Sequence, residues 1–295
     1  MRRSSAPPFR RPAVQSPRRY AALRCKSLDG PRTEGHKTTA MSRAPKQARR
    51  RAAGPPGIPL RNSVLAGLIA TDYQHLLPKL EHVTLTGGQV LYHADQEIED
   101  VYFPEDAVVA MIDAIDDGRT VEVGIIGREG IVGINVFLGG VITPDKAVVQ
   151  LSGGAMRMSA DKVREEMRFG SPLQQLLLAY ARTFLAVISQ SVACSQHHDI
   201  EQRLARLLLT LNYYAGSGGF PMVQESMAAL LGVRRAGVSG AAGKLQAQGL
   251  MRYRRGRISN VEARRLEKMS CECYRFIRQQ YAQFQDMLPR LLSGK

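Results

Sequence analysis

The chain has 295 residues, 44% of them hydrophobic, and a formal net charge of +15, so its length allows one large or two ordinary domains with a sizeable core. No window approaches the roughly 20 uninterrupted apolar residues of a membrane span, and the N-terminal region lacks the apolar core of a secretory signal, so the sequence reads as a soluble, cytoplasmic protein. Four scattered cysteines, Cys25, Cys194, Cys271 and Cys273, make no disulfide framework in a chain this long and fit a reducing compartment.

The charge is unevenly placed. Residues 1–57 carry 15 Lys+Arg against 2 Asp+Glu, residues 58–199 carry 10 against 18, and residues 220–270 carry 10 against 3. An acidic middle followed by a basic module points to a polyanion contacted by one part of the chain only. Residues 1–57 are rich in Arg, Pro, Ser and Ala without apolar periodicity, and such a segment buries too little to offset its ordering entropy. It is predicted to be a disordered basic tail. Three other readings stay open: an overlong start ahead of a working initiator at Met41, a nucleic-acid-binding arm and an organellar targeting peptide.

Between Thr84 and Met158 short runs of Val, Ile, Leu and Tyr alternate with turn signals at Gly87-Gly88, Asp117-Gly118, Gly127, Gly139-Gly140 and Gly153-Gly154. This pattern predicts an antiparallel β-roll or barrel, with a domain over residues 58–170. Ser171 as N-cap and Pro172 at the first helical position then open a long helix, predicted over 171–199. Leu173, Leu177, Tyr180, Phe184, Val187, Ser191, Cys194 and His198 follow at alternating spacings of 4 and 3, a heptad seam. It predicts a dimer interface made by Leu177, Tyr180, Phe184, Val187, Ser191 and Cys194. A second apolar line, Leu178, Leu185 and Val192, lies on another face. Two apolar faces imply two partners, the chain's own β-domain and the same helix of a second subunit; burial within a monomer is the alternative.

Asp199 caps a further predicted helix over 200–215, and the Gly/Ser run at 216–219 marks a boundary into a module over 216–270. There "QESMAALLG" reads as a short helix with a turn at Gly232, and "VRRAGVSGAAGKLQAQGL" as a second helix with Val238, Ala242 and Leu245 inward. That is the spacing of a helix-turn-helix. "LMRYRRGRISNV" reads as strand, turn and strand, a two-stranded arginine-bearing wing suited to lying along phosphates. Residues 271–295 are predicted as a C-terminal helix.

This order of parts, with "HDIEQRLARLLL", "LLGVRRAGVSGAAGKLQAQGLMRYRRGRI" and "SCECY", resembles the Crp/Fnr family of bacterial transcription regulators over about residues 62–275, in a branch remote from the cyclic-AMP receptor. The resemblance implies an α+β fold with a cyclic-nucleotide-binding-like antiparallel β-roll, a long dimerisation helix and a C-terminal winged helix-turn-helix. It implies a dimeric, sequence-specific DNA-binding regulator whose partners are double-stranded DNA, a second copy, RNA polymerase and an unidentified small-molecule effector, with no membrane. Carried onto matching positions, the DNA contacts fall at Gln224 on phosphate, Arg235 on guanine and Arg234 on phosphate. Ser239 adds a base or phosphate contact, and Lys244 with the wing residues Arg254, Arg255 and Arg257 adds salt-sensitive affinity. Both recognition-helix arginines could instead sit on phosphate or in solvent. Ala236 and Gly240 stand where the cyclic-AMP receptor presents longer base-reading side chains, which implies sparse readout.

Nucleotide-binding members of the family use a Gly-Glu pair for the ribose and an Arg-Ser/Thr pair for the cyclic phosphate. The matching positions here read Gly133-Ile134 and Asp145-Lys146. A carboxylate facing the ligand phosphate is repulsive, so the effector is expected not to be cyclic AMP; the alternative is that Lys146 takes the phosphate after a one-residue shift, and Glu129 belongs to the preceding turn.

No metal or cofactor is expected. Cys271 and Cys273, two apart on a predicted helix, would point to opposite sides, and Cys194, His197 and His198 share one helical face without visible supporting carboxylates beyond Asp199. The family's iron-sulfur branch carries its cysteine cluster ahead of the roll, where only Cys25 is available. No dinucleotide fingerprint, Walker loop, nucleophile elbow or zincin motif occurs, so no enzyme is expected. The alternative from another class is a ligand-sensing β-roll that signals through a protein partner, its basic module binding polyanion nonspecifically.

Overall fold

The computed structural model describes residues 61–114, 120–140 and 142–291. The basic tail, with Cys25, and the Asp117-Gly118 turn lie outside them. Two short helices, α1 (Ser63–Ala66) and α2 (Ala70–Leu76), precede seven strands: β1 (Glu81–Leu85), β2 (Val90–Tyr92), β3 (Asp100–Pro104), β4 (Val108–Ala114), β5 (Thr120–Ile126), β6 (Lys146–Leu151) and β7 (Gly153–Ser159). They form two antiparallel sheets, ordered β1-β7-β3 and β2-β6-β4-β5. The sheets close a β-roll around a core that includes Leu85, Val101, Phe103, Val109, Met111 and Met158.

β4 is buried along both of its faces, and the period-two alternation of a strand explains how. Val109 and Met111 point into the roll, whereas Val108, Ala110 and Ile112 point outward into a second core shared with the C-terminal module. The uninterrupted apolar run of this strand follows from that double coverage.

After α3 (Ala160–Glu166) comes the long helix α4 (Pro172–His197). Ser171 Oγ accepts the Gln174 amide at 3.2 Å and Pro172 occupies the first turn. By length and composition α4 could cross a membrane, with a mean hydropathy of 1.5 over its most apolar window. Its main apolar stripe is instead packed against the chain's own core. Leu177, Tyr180, Phe184 and Val187 join the roll core, and the last helix, α9 (Cys273–Leu291), adds Ile277, Tyr281, Phe284 and Leu288 to that core. The Tyr180 ring stacks on Phe184 at 5.7 Å and meets Phe284 at 5.8 Å.

This packing corrects the expected dimer seam. Leu177, Tyr180, Phe184, Val187, Ser191 and Cys194 are all buried inside the chain itself, so they are not available to face a second copy. The exposed apolar line is the other one: Leu178, Leu185 and Val192 are 52%, 63% and 60% exposed.

At the end of α4 the chain bends at His198 and enters α5 (Ile200–Ala215) through a capping box. Asp199 Oδ1 accepts the Gln202 amide at 2.8 Å, and Gln202 Oε1 accepts the Asp199 amide at 3.3 Å, so two of the helix's free donors are satisfied reciprocally. From α5 the buried Arg206 reaches Glu122 of β5 at 3.8 Å. Burial pushes the Glu122 carboxyl above the usual carboxylate range, against the pull of Arg206.

Candidate nucleic-acid interface

The C-terminal module is built on α5. Leu204, Leu207, Leu208 and Leu211 of α5 pack with Met227, Leu230 and Leu231 of α6 (Gln224–Leu231) and with Val238, Ala242 and Leu245 of α7 (Arg235–Ala247). Gly232 ends α6 in the left-handed region at φ 64°, ψ 35°, a conformation glycine adopts at little cost. The Val233 amide then closes back on the Ala228 carbonyl at 3.1 Å. This turn sets α7 across α6 as the second helix of a helix-turn-helix.

The wing has three strands rather than the two expected. β9 (Arg252–Arg254) and β10 (Arg257–Ser259) form a hairpin, and β8 (Phe220–Pro221) adds to the other edge of β10. The hairpin tip is Arg255-Gly256, with φ values of 50° and 73°, the left-handed pair of a two-residue turn that follows strand twist. Gln246 Oε1 accepts the Tyr253 amide at 2.7 Å, so wing and α7 are tied together.

On this frame Gln224 is the first residue of α6 and is half-buried. Arg234 is the N-cap of α7, and Arg235 is its first residue. Both are exposed, as are Ala236, Ser239, Gly240 and Gly243 along the outward face. Arg235 Nε lies 3.9 Å from Glu225 Oε2, with both side chains mostly in solvent, so the pair is weak and easily exchanged.

Lys244 is paired with Glu201 of α5, which holds its ammonium above the usual lysine range. Arg254 and Arg255 are exposed. Arg257 differs: its guanidinium donates to the carbonyls of Gly218 at 2.8 Å and Gly219 at 3.2 Å, a structural task that sequence reading misses because a run of arginines carries no sign of its partners.

The three glycines of α7 separate in the same way. A Cβ at Gly237 would come within 3.0 Å of Ile200 Cδ1, whereas at Gly240 or Gly243 it would meet nothing within 4 Å. Packing against α5 accounts for the first. The other two lie on the open face.

In the β-roll, Ile134, the position that the resemblance matches to a ribose-binding glutamate, is buried. Asp145 accepts a hydrogen bond from Thr143 Oγ1, its Oδ2 is buried without a partner, and burial raises its carboxyl above the usual range. Glu129, in the turn before, is buried with Arg278 of α9 at 3.7 Å.

The structure also corrects the expectation about the cysteines. Helix α8 (Ala263–Met269) stops before Cys271, and α9 begins at Cys273, so the two residues do not share a helix. The side chains of Cys194, His198, Cys271 and Cys273 converge, with their ligand atoms all within 4.8 Å of one another. His197 is exposed and outside the group.

Residues 202–269 match the Crp-like helix-turn-helix domain family. Solved structures extend the likeness beyond it. FixK2 from Bradyrhizobium japonicum is 17% identical, with a TM-score of 0.54 over 65% of this chain and 98% of its own. The c-di-GMP responsive global regulator CLP from Xanthomonas campestris is 16% identical, with a TM-score of 0.53 over 65% and 99%. A CRP-family transcriptional regulator from Thermus thermophilus is 17% identical, with a TM-score of 0.53 over 64% and 96%. No curated protein matches the chain at a significant level. The part that matches this domain family is thus carried on a fold shared with these regulators.

Proposed function

We propose that the chain is a dimeric, cytoplasmic, sequence-specific DNA-binding transcription regulator. The observation that carries this reading is the free outward face of α7. Arg234, Arg235 and Ser239 are exposed there, while the inward face is fully engaged by Val238, Ala241, Ala242 and Leu245. Arg235 at the helix N-terminus takes the base-reading role through a bidentate fork to guanine, releasing Glu225 as it binds. Arg234 and the wing-tip residues Arg254 and Arg255 neutralise phosphates.

The dimer forms through Leu178, Leu185 and Val192, which repeat every seven residues on the uncovered face of α4. The roll does not take cyclic AMP at the family's usual place. Support comes from Ile134 and Asp145: an apolar side chain replaces the ribose ligand, and a partly buried carboxyl stands where the phosphate's cation belongs. An anion there would meet the Asp145 carboxyl, and its only cation in sequence reach would be Lys146, one position on.

Selection of preferred DNA from a random pool, performed with the native chain and with Arg235→Ala, tests the reading. A two-half-site consensus is expected, with preference at one base pair of each half-site relaxed in the variant. Enrichment of no consensus would sink the proposal of specific recognition. Equal weakening on every sequence would move Arg235 from base to phosphate.

A further inference from the structure

We propose that Cys194, His198, Cys271 and Cys273 are the four ligands of a structural zinc-type site that clamps the α4–α5 bend to the start of α9. The site stands independently of the DNA-binding reading.

The four ligand atoms lie close enough together to share one ion, all within 4.8 Å of one another. Cys194 Sγ and Cys271 Sγ are 3.5 Å apart, and Cys273 Sγ and His198 Nδ1 are 3.6 Å apart. Tetrahedral zinc with Zn–S near 2.3 Å and Zn–N near 2.0 Å places two sulfurs about 3.8 Å apart and a sulfur and a nitrogen about 3.5 Å apart. Three thiolates with one imidazole form a soft set that suits zinc and leaves calcium and magnesium without their oxygen ligands.

The surroundings support the ligands. His198 Nε2 lies 3.3 Å from Glu272 Oε1, so the carboxylate takes one ring nitrogen and leaves Nδ1 turned to the thiols. That is the carboxylate–histidine–metal relay that fixes the imidazole tautomer. Gln190 Nε2 donates to Cys273 Sγ at 3.0 Å. The buried Arg206 interacts electrostatically with all three sulfurs. Three thiolates and a neutral imidazole around a divalent ion leave one negative charge, which acts on the same Arg206 that pairs with Glu122.

Buried cysteines usually serve as small apolar fillers, but these three do not join either apolar core and cluster with one another. A Cys194–Cys271 disulfide would use two of the sulfurs and leave Cys273, His198 and the Glu272 contact without a purpose. All three cysteines are buried and four protein ligands close the shell, which is the pattern of a structural rather than a catalytic site.

The sequence spacing explains why the site forms only in the folded chain. Cys194 and His198 are one turn apart at the end of α4, whereas Cys271 and Cys273 lie at the break between α8 and α9. Metal binding therefore joins two turns more than seventy residues apart in sequence, and its free energy adds to folding.

The test uses the full chain, reduced and stripped of metal, titrated with Co²⁺ as a spectroscopic probe. One Co²⁺ per chain is expected, with the strong visible bands of tetrahedral thiolate coordination, displaced stoichiometrically by Zn²⁺. Cys25→Ser should keep the spectrum; Cys271→Ser and Cys273→Ser should each lose or shift it. Since those variants could misfold, the native chain supplies a second measurement. Zn²⁺ added to the reduced apo-protein should release protons from the thiols and protect three cysteines from alkylation. A weak octahedral Co²⁺ spectrum, no saturable binding, or unchanged thiol alkylation with Zn²⁺ would overturn the site. So would a Cys194–Cys271 disulfide in protein isolated under reducing conditions.

Discussion

Gly237 of α7 rests against Ile200 of α5 so closely that a Cβ there would sit 3.0 Å from Ile200 Cδ1. Helix α7 is thereby seated on the first turn of α5. Its other two interior glycines have no such constraint. Gly240→Ala and Gly243→Ala should each stabilise the chain by about 1 kcal/mol through helix propensity alone. Gly237→Ala should gain less, since Ile200 must yield by a few tenths of an ångström. Urea unfolding of the three variants checks the order.

The wing arginines should divide into two kinds. Arg254→Ala and Arg255→Ala should lower DNA affinity on all sequences and reduce the slope of log affinity against log salt by about 0.9 per lost phosphate contact. Arg257→Ala should chiefly lower stability, because its guanidinium holds the Gly218 and Gly219 carbonyls beside β8. Salt titrations of binding with denaturant midpoints separate the two. A full salt-slope loss for Arg257→Ala, with stability unchanged, would place it on phosphate after all.

Glu166 joins the end of α3 to α2 and the turn after it. Partial burial raises its carboxyl, but hydrogen bonds and charge from Lys79 and His75 outweigh this and hold it below the usual range. A carboxylate lowered by folding adds stability that is present above its unfolded pKa, about 4.3, and is lost as pH falls through the folded value. Glu166→Gln should be less stable than the native chain at pH 7, with a smaller gap at pH 3, below the unfolded value. A gap of equal size at both pH values would mean that the side chain acts through packing alone.

Signals confined to a few residues were the legible ones. Ser171-Pro172 and Asp199 name their caps because the capping partner lies within three positions, and Gly232 names its turn because few other residues tolerate its backbone angles. The heptad of α4 was legible as an apolar stripe but not as a partner. A spacing of 4 and 3 describes equally a seam between two subunits and a face covered by the chain itself, and here α9, arriving about eighty residues later, supplies part of the cover. The cysteine cluster was hidden for a related reason. No Gly or Pro announces the break between Met269 and Cys273, so the sequence alone sets the two thiols on one helix and on opposite sides. The site depends on that break and on Cys194, 77 positions away from Cys271.

The two faces of α4 can be told apart by mutation. Leu178, Leu185 and Val192 are exposed, and burying such a stripe against its copy removes apolar area from water. Leu185→Lys should therefore give a monomer by light scattering, with little loss of monomer stability. Phe184→Ala removes a ring packed among Tyr180, Gly124 and the roll core. It should cost about 3–5 kcal/mol, whatever the oligomeric state of the folded fraction. The contrast is decisive because the residues are neighbours in sequence. If Leu185→Lys remains dimeric while a mild truncation on the inner face dissociates the chain without unfolding it, then α4 must turn its heptad face outward on association, and the cover supplied by α9 is not permanent.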